Sequence, residues 1–312
     1  MLTDEDFPID LVSEHLSEPG AVVWVDLCTP RTDELTLLAE ELGLHALAVE
    51  DALQRRQRPK LDRYADHVYV SAYAVEFDAE DGSVDAHEIS VFVTPHAMVT
   101  VRPEEFSIDG VVERWDAAPE LAKYGVAFLL YGLLDYLVDS HFDTTQALDD
   151  EIEGLEDQLF AENVRQSDLQ RRSFQLRKSL VLLRRVILPM REVVNTLLRR
   201  DLALVDEAMD PYFHDVYDNV LRASEWTESL RDLVTSVLET NLTIQGNRLN
   251  VITKKVTGWA AIIAVPTAVT GYYGQNVPYP GYGERAGFIQ SSVLIVGLAV
   301  LLYWLFRRND WL

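Results

Sequence analysis

The chain has 312 residues, 48% of them hydrophobic, and a formal net charge of −24. That is enough material for two or so domains, and the negative balance argues against nucleic-acid binding and against adhesion to an anionic membrane surface while suiting a protein that gathers cations. The one cysteine, Cys28, excludes an internal disulfide framework, fits a reducing compartment and reads as a small buried residue.

The N-terminal MLTDEDFPIDLVSEHL is acidic and has no apolar stretch of the kind a signal peptide needs. Alternating apolar residues then predict strands at AVVWVDL (21–27), HVYVSAYAV (67–75), EISVFV (88–93) and AMVTV (97–101). Between the first two lies TDELTLLAEELGL, an amphipathic helix with Thr32 or Asp33 as its cap, and EEFSIDGVVERWDAA predicts another after the strands. Residues 1–120 therefore read as a cytoplasmic α/β domain. No GxxxxGK[ST] run is present and no GxGxxG follows a strand, so no nucleotide is expected. The seven histidines form no HExxH, and no nucleophile–base arrangement can be assembled, so the chain does not read as an enzyme.

Residues 121–210 read as a helical hairpin region. DDEIEGLEDQLF (149–160) is acidic, and Ser167-Asp168-Leu169-Gln170 has the form of a capping box. The helix after it is basic: Arg171, Arg172, Arg177, Lys178, Arg184 and Arg185. Paired acidic and basic faces are the structural reading, with metal binding by the acids as the alternative. Asp210-Pro211 then opens a helix, and apolar residues recur at helical spacing. One helix over 211–273, about 90 Å at 1.5 Å per residue, is predicted.

Two apolar runs end the chain, VTGWAAIIAVPTAVTGYY (256–273) and AGFIQSSVLIVGLAVLLYWLF (286–306). Each is close to the roughly 20 residues that span a bilayer core. Aromatic residues mark their ends, and Lys254, Lys255, Arg307 and Arg308 lie at the outer ends of the hairpin. The positive-inside rule puts both termini in the cytoplasm and the 274–285 loop outside, with 307–312 a basic cytoplasmic tail.

On the first run Asn250, Thr253, Thr257, Ala260, Ala264, Thr267, Gly271 and Gly274 recur at alternating steps of three and four, so they share one helix face. Two readings stay open: close helix packing through small residues, or the wall of a water-filled pore at an oligomer axis. Pro266 removes an amide hydrogen and loosens this helix near its outer third.

These residues resemble the CorA family of divalent-cation channels. Tyr273-Gly274-Gln275-Asn276 is similar to that family's YGMN signature, with Gln for Met, and RRNDWL looks like its ending. VEDALQRRQRPK (49–60), LLYGLLDYLVDSHF (129–142) and PYFHDVYDNV (211–220) look like family segments in the same order. The resemblance implies an α+β membrane protein: a cytoplasmic α/β/α domain, a long stalk helix and two C-terminal transmembrane helices, assembled as a funnel-shaped homopentamer. It implies a selectivity filter at Gly274, Gln275 and Asn276. The pore would be lined by Asn250, Thr253, Val256, Thr257, Ala260, Ala264, Thr267 and Tyr273, and regulatory metal sites would lie at Asp51 and Asp215.

The function so implied is Mg²⁺ influx, with Co²⁺ and Ni²⁺ as further cargo, driven by membrane potential and gated by internal Mg²⁺. A Zn²⁺ transporter, with or without proton coupling, and a two-span membrane sensor without ion flux are the alternatives. The partners implied are further copies of the chain, the lipid bilayer of the cell membrane and divalent cations, with no nucleic acid.

Overall fold

Five strands form one sheet in the order β1-β5-β4-β3-β2. They are β1 (Val23–Cys28), β2 (Lys60–Arg63), β3 (Val68–Asp78), β4 (Ser83–Val93) and β5 (Ala97–Arg102). Strands β2 to β5 pair antiparallel, and β1 adds parallel to β5. The computed structural model describes residues 8–18, 20–54, 57–159, 166–199, 207–275 and 278–311. The chain divides into two units, 1–238 and 239–312.

In the first unit the period-two pattern of the strands feeds two cores. On one face Val23, Tyr69, Phe92, Val99 and Val101 pack with Val12 of α1 (Val12–Leu16), Leu35 and Leu38 of α2 (Thr32–Leu42), and Ala48 and Ala52 of α3 (Ala46–Gln54). The other face turns Val68, Val70, Ala72, Ile89 and Val91 toward the long helices. These are α4 (Asp109–Ala117), α5 (Val126–Leu159), α6 (Gln166–Leu197) and the first part of α7 (Asp210–Tyr273). Leu134, Leu148, Leu183, Phe213 and Val220 are fully buried there. The result is helix–sheet–helix layering, the α/β/α arrangement expected.

Polar groups tie the helices to the sheet. His141 of α5 is completely buried, with its Nε2 2.8 Å from the Tyr73 carbonyl of β3. The neutral ring donates that bond, and burial pushes the imidazole down to about 4. Trp115 Nε1 donates to Leu129 O at 3.1 Å, and a Cβ added at Gly132 would meet that Nε1 at 2.4 Å. Glycine at 132 thus lets α4 dock on α5.

Several local expectations are revised. Strand β2 and helix α3 were not foreseen: β2 is only four residues on a sheet edge, KLDR, and pairing with β3 rather than its own composition makes it a strand. The helix predicted over 104–118 shortens to α4, and Arg31 rather than Thr32 or Asp33 caps α2, its backbone N–H donating to Glu34 Oε2 at 2.9 Å. Ser167 lies inside the first turn of α6 and does not cap it. Cys28, at the end of β1, is exposed. The acidic run and basic helix meet through Glu151 and Arg172 at 2.7 Å, whereas Arg184 pairs with Glu228 of α7 at 3.0 Å.

Candidate functional site

The second unit holds the end of α7, a loop, and α8 (Arg285–Arg308). Among the described residues, α8 is the one helix long and apolar enough to cross a membrane, with a mean hydropathy of 2.1 over its best window. It ends on Arg307 and Arg308, and the Arg308 guanidinium lies 5.4 Å from the Trp304 ring. The end of α7 is less apolar because threonine, glycine, proline and tyrosine interrupt it.

From Gly258 to Tyr273, the better covered residues of α7 are Gly258, Ala261, Ile262, Val265, Pro266, Val269 and Tyr273. Their spacing of mostly three or four places them on one face. Thr257, Ala260, Ala264, Thr267 and Gly271 lie on the other side and are exposed in the single chain, as are Asn250, Thr253 and Val256 before them. The open side carries these small and hydroxylated side chains together with Val256, Trp259, Ile263 and Tyr272, which are also exposed in the single chain.

Two hydroxyls near the end of this helix are already engaged as donors. Thr267 Oγ1 donates to Ile263 O at 3.0 Å, and Thr270 Oγ1 to Pro266 O at 2.9 Å. Such back-bonding leaves the oxygen lone pairs as acceptors toward whatever faces them. At the helix end Gly274 N donates to Thr270 O at 2.8 Å, and a Cβ at 274 would stand 2.9 Å from that same oxygen. A side chain at Gly274 would crowd the last turn. Gln275 is exposed directly after it; Asn276 lies outside the described residues.

On either side of Gly274 and Gln275, tyrosines gather. Tyr279 stands edge-on to Tyr273 at 4.9 Å and to Tyr282 at 5.3 Å, with Tyr272 5.5 Å from Tyr273. Tyr273 thus belongs to the covered face and to this cluster. Gly281 and Gly283 take positive φ, and a Cβ on Gly287 would meet Gly281 O at 2.4 Å, so the loop returns tightly onto the start of α8. Tyr272 and Tyr273 are expected in an interfacial belt, and Tyr273 also on a pore wall; spacing along the chain gives no sign of their contacts with Tyr279.

The two carboxylates expected to hold regulatory metal sit on opposite faces of the sheet. Asp51 is on α3, beside the first core, and Asp215 is on α7, which packs into the second. One chain does not bring them together; a site using both would join two chains. Asp51 is engaged already: Lys60 Nζ lies 2.6 Å from its Oδ2 and 2.6 Å from Asp62 Oδ2. Burial alone would lower the Lys60 ammonium, but hydrogen bonds to Asp51 and Asp62 outweigh it and hold the group above the usual lysine range. The Asp51 site as it stands does not fit a bound metal ion. Nothing in residue spacing marked Lys60; the edge pairing of β2 carries it there.

Asp215 is exposed. Its charge reaches Asp135, which burial pushes up against the pull of Arg114, with Asp139 and Asp215 adding to the rise. Arg114 bridges Asp135 and Asp139. No group of three or more His, Cys, Asp or Glu suited to a metal ion occurs among the described residues.

The CorA-like Mg²⁺ transporter model matches residues 19–308. The chain belongs to the CorA family. It is 28% identical over 335 residues to the cobalt/magnesium transport protein CorA of Thermotoga maritima, covering 99% of this chain and 93% of that one. It is also 26% identical over 267 residues to the zinc transport protein ZntB of Yersinia pseudotuberculosis, covering 82% and 77%. The complete structure of the CorA magnesium transporter from Methanocaldococcus jannaschii superposes with a TM-score of 0.77 at 25% identity, over 93% and 91% of the two chains. The chain is therefore a membrane transporter of divalent cations, and the α+β fold with its long helix and apolar C-terminal helix is that of CorA.

Proposed function

We propose that the chain forms a homopentameric channel that conducts hydrated Mg²⁺ inward, with Co²⁺ and Ni²⁺ as further cargo. The observation that carries this reading is the open face of α7 at Asn250, Thr253, Thr257, Ala260, Ala264 and Thr267. Around a shared axis, five such faces would line a path wide enough for water and rich in acceptors. A wall of this kind also explains why the span ending at Tyr273 need not be apolar all round, and so why two helices cross the bilayer. Domains follow the same reading: 1–120 and 121–210 cytoplasmic, 211–273 stalk and first span, 274–285 outside, 286–306 second span and 307–312 a cytoplasmic tail.

Magnesium gives up its water reluctantly. A neutral ring of Gln275 and Asn276 amides with the backbone at Gly274 would read the ion through its bound waters and still release it. Asp215 is the open carboxylate of the two for which regulation by internal Mg²⁺ is proposed. A zinc-transporting relative supports Zn²⁺ as the second reading of the cargo.

The test is uptake of Mg²⁺, Co²⁺ and Zn²⁺ into liposomes holding the purified protein. Mg²⁺ uptake lost in Asn276→Ala, in vesicles with equal protein content, is expected. Uptake in that variant equal to the parent, or Zn²⁺ uptake alone, would refute the reading.

A further inference from the structure

Three groups close on one point beside the sheet edge. Lys60 projects from β2 between Asp51 of α3 and Asp62 of its own strand, 2.6 Å from a carboxylate oxygen of each. Gln57 Nε2 donates to the second oxygen of Asp51 at 3.1 Å. Both Asp51 oxygens therefore have partners. The Lys60 Nζ also stands 5.5 Å from the centre of the Tyr69 ring, which adds a favourable face to the cation.

A magnesium ion bound directly to Asp51 would sit about 2.1 Å from its oxygen. At Oδ2 that position falls within the contact Lys60 makes, at Oδ1 it competes with Gln57, and the ammonium would repel the ion at either oxygen. Lysine is a compact, fully charged cation at neutral pH. It is also tethered, so its local concentration does not follow the ion content of the cytoplasm.

We propose that Lys60 is the resident cation of this cluster: its ammonium takes the place a divalent ion would take between Asp51 and Asp62, so Asp51 does not report internal Mg²⁺. Removing the ammonium uncovers two carboxylates whose oxygens, each 2.6 Å from one nitrogen, are close enough for a single divalent ion to bridge directly or through water. The carboxylate pair is thus a metal site held shut by a lysine. Whether the channel reading holds affects only what this means for gating, because the cluster is a matter of cation binding.

Calorimetric titration of Mg²⁺ and of Co²⁺ into the full-length protein in detergent tests it. Asp51→Asn is expected to bind the same number of ions per chain as the parent, with affinities within twofold. Lys60→Met is expected to gain one divalent ion per chain, and the double variant Lys60→Met with Asp51→Asn to lose it again. Lys60→Arg, which keeps a cation, should match the parent. Loss of a bound ion in Asp51→Asn alone would overturn the proposal, and so would a folded Lys60→Met that gains none. If Lys60→Met fails to fold, Asp51→Asn and Lys60→Arg decide it. Absent ion uptake in liposomes would count against the channel reading and leave these titrations unaffected.

Discussion

His141 illustrates how much one side chain can contribute through its surroundings. Its ring is held neutral by complete burial, with a folded value of about 4, against about 6.5 for an unfolded histidine. As pH falls below about 6.5 the unfolded chain takes up the proton and the folded one does not, so stability is lost between that value and about 4. The loss between pH 7 and pH 5 should be about 2 kcal/mol. Thermal unfolding of the full-length protein across that range should therefore fall more steeply than that of His141→Gln, which keeps a donor for Tyr73 O and cannot titrate. Equal slopes would mean that His141 is not the group responsible. Periodicity places His141 on an apolar helix face, but only the carbonyl above it says why a histidine is there.

Among the elements, α4 and α5 depend on a missing side chain. Alanine at 132 would gain up to about 1 kcal/mol of helix propensity. Its Cβ would still stand 2.4 Å from Trp115 Nε1, and overpacking of this kind costs about 1–3 kcal/mol. Gly132→Ala should be destabilised in denaturant titration, with Trp115 moved from Leu129 O. In a double-mutant cycle with Trp115→Ala, the cost of Gly132→Ala should shrink, since Nε1 and Cδ1, at 2.4 and 2.5 Å from the added Cβ, are then gone. A Gly132→Ala protein as stable as the parent would show that the helices adjust freely. The long helix α7 was legible because Asp210-Pro211 starts it and no proline follows until Pro266. Strand β2 was not, because a four-residue edge strand gets its identity from its neighbour.

For the whole molecule, the driving force proposed for uptake is the membrane potential. A divalent ion moving through 100 mV gains about 4.6 kcal/mol, twice the roughly 2.3 kcal/mol per charge. Uptake into proteoliposomes should then rise with an inside-negative potential set by a potassium gradient and valinomycin, without nucleotide. Uptake that follows an imposed pH gradient and ignores the potential would point to proton coupling. The apolar α8 and the small residues of α7 from Asn250 onward belong to one unit of the chain, and Asp215, the carboxylate proposed to sense internal Mg²⁺, to the other. In the proposed channel, α7, which has residues in both units, would carry the coupling between ion content and pore state.

The sequence by itself determined the class of protein: two apolar runs, a GQN tripeptide between them, and a single long helix leading into the first run. Those features are local or periodic, and a linear pattern records them directly. It also marked the α7 face, since helical spacing alone brings Asn250 to Thr267 into line. What only the tertiary structure decided is which charges meet. Asp51 reads as an open ligand until β2 pairs with β3 and carries Lys60 onto it, and Tyr279 is a loop residue until the chain folds back on Tyr273. Such contacts depend on strand register and loop closure, and neither is written in the spacing of residues along the chain.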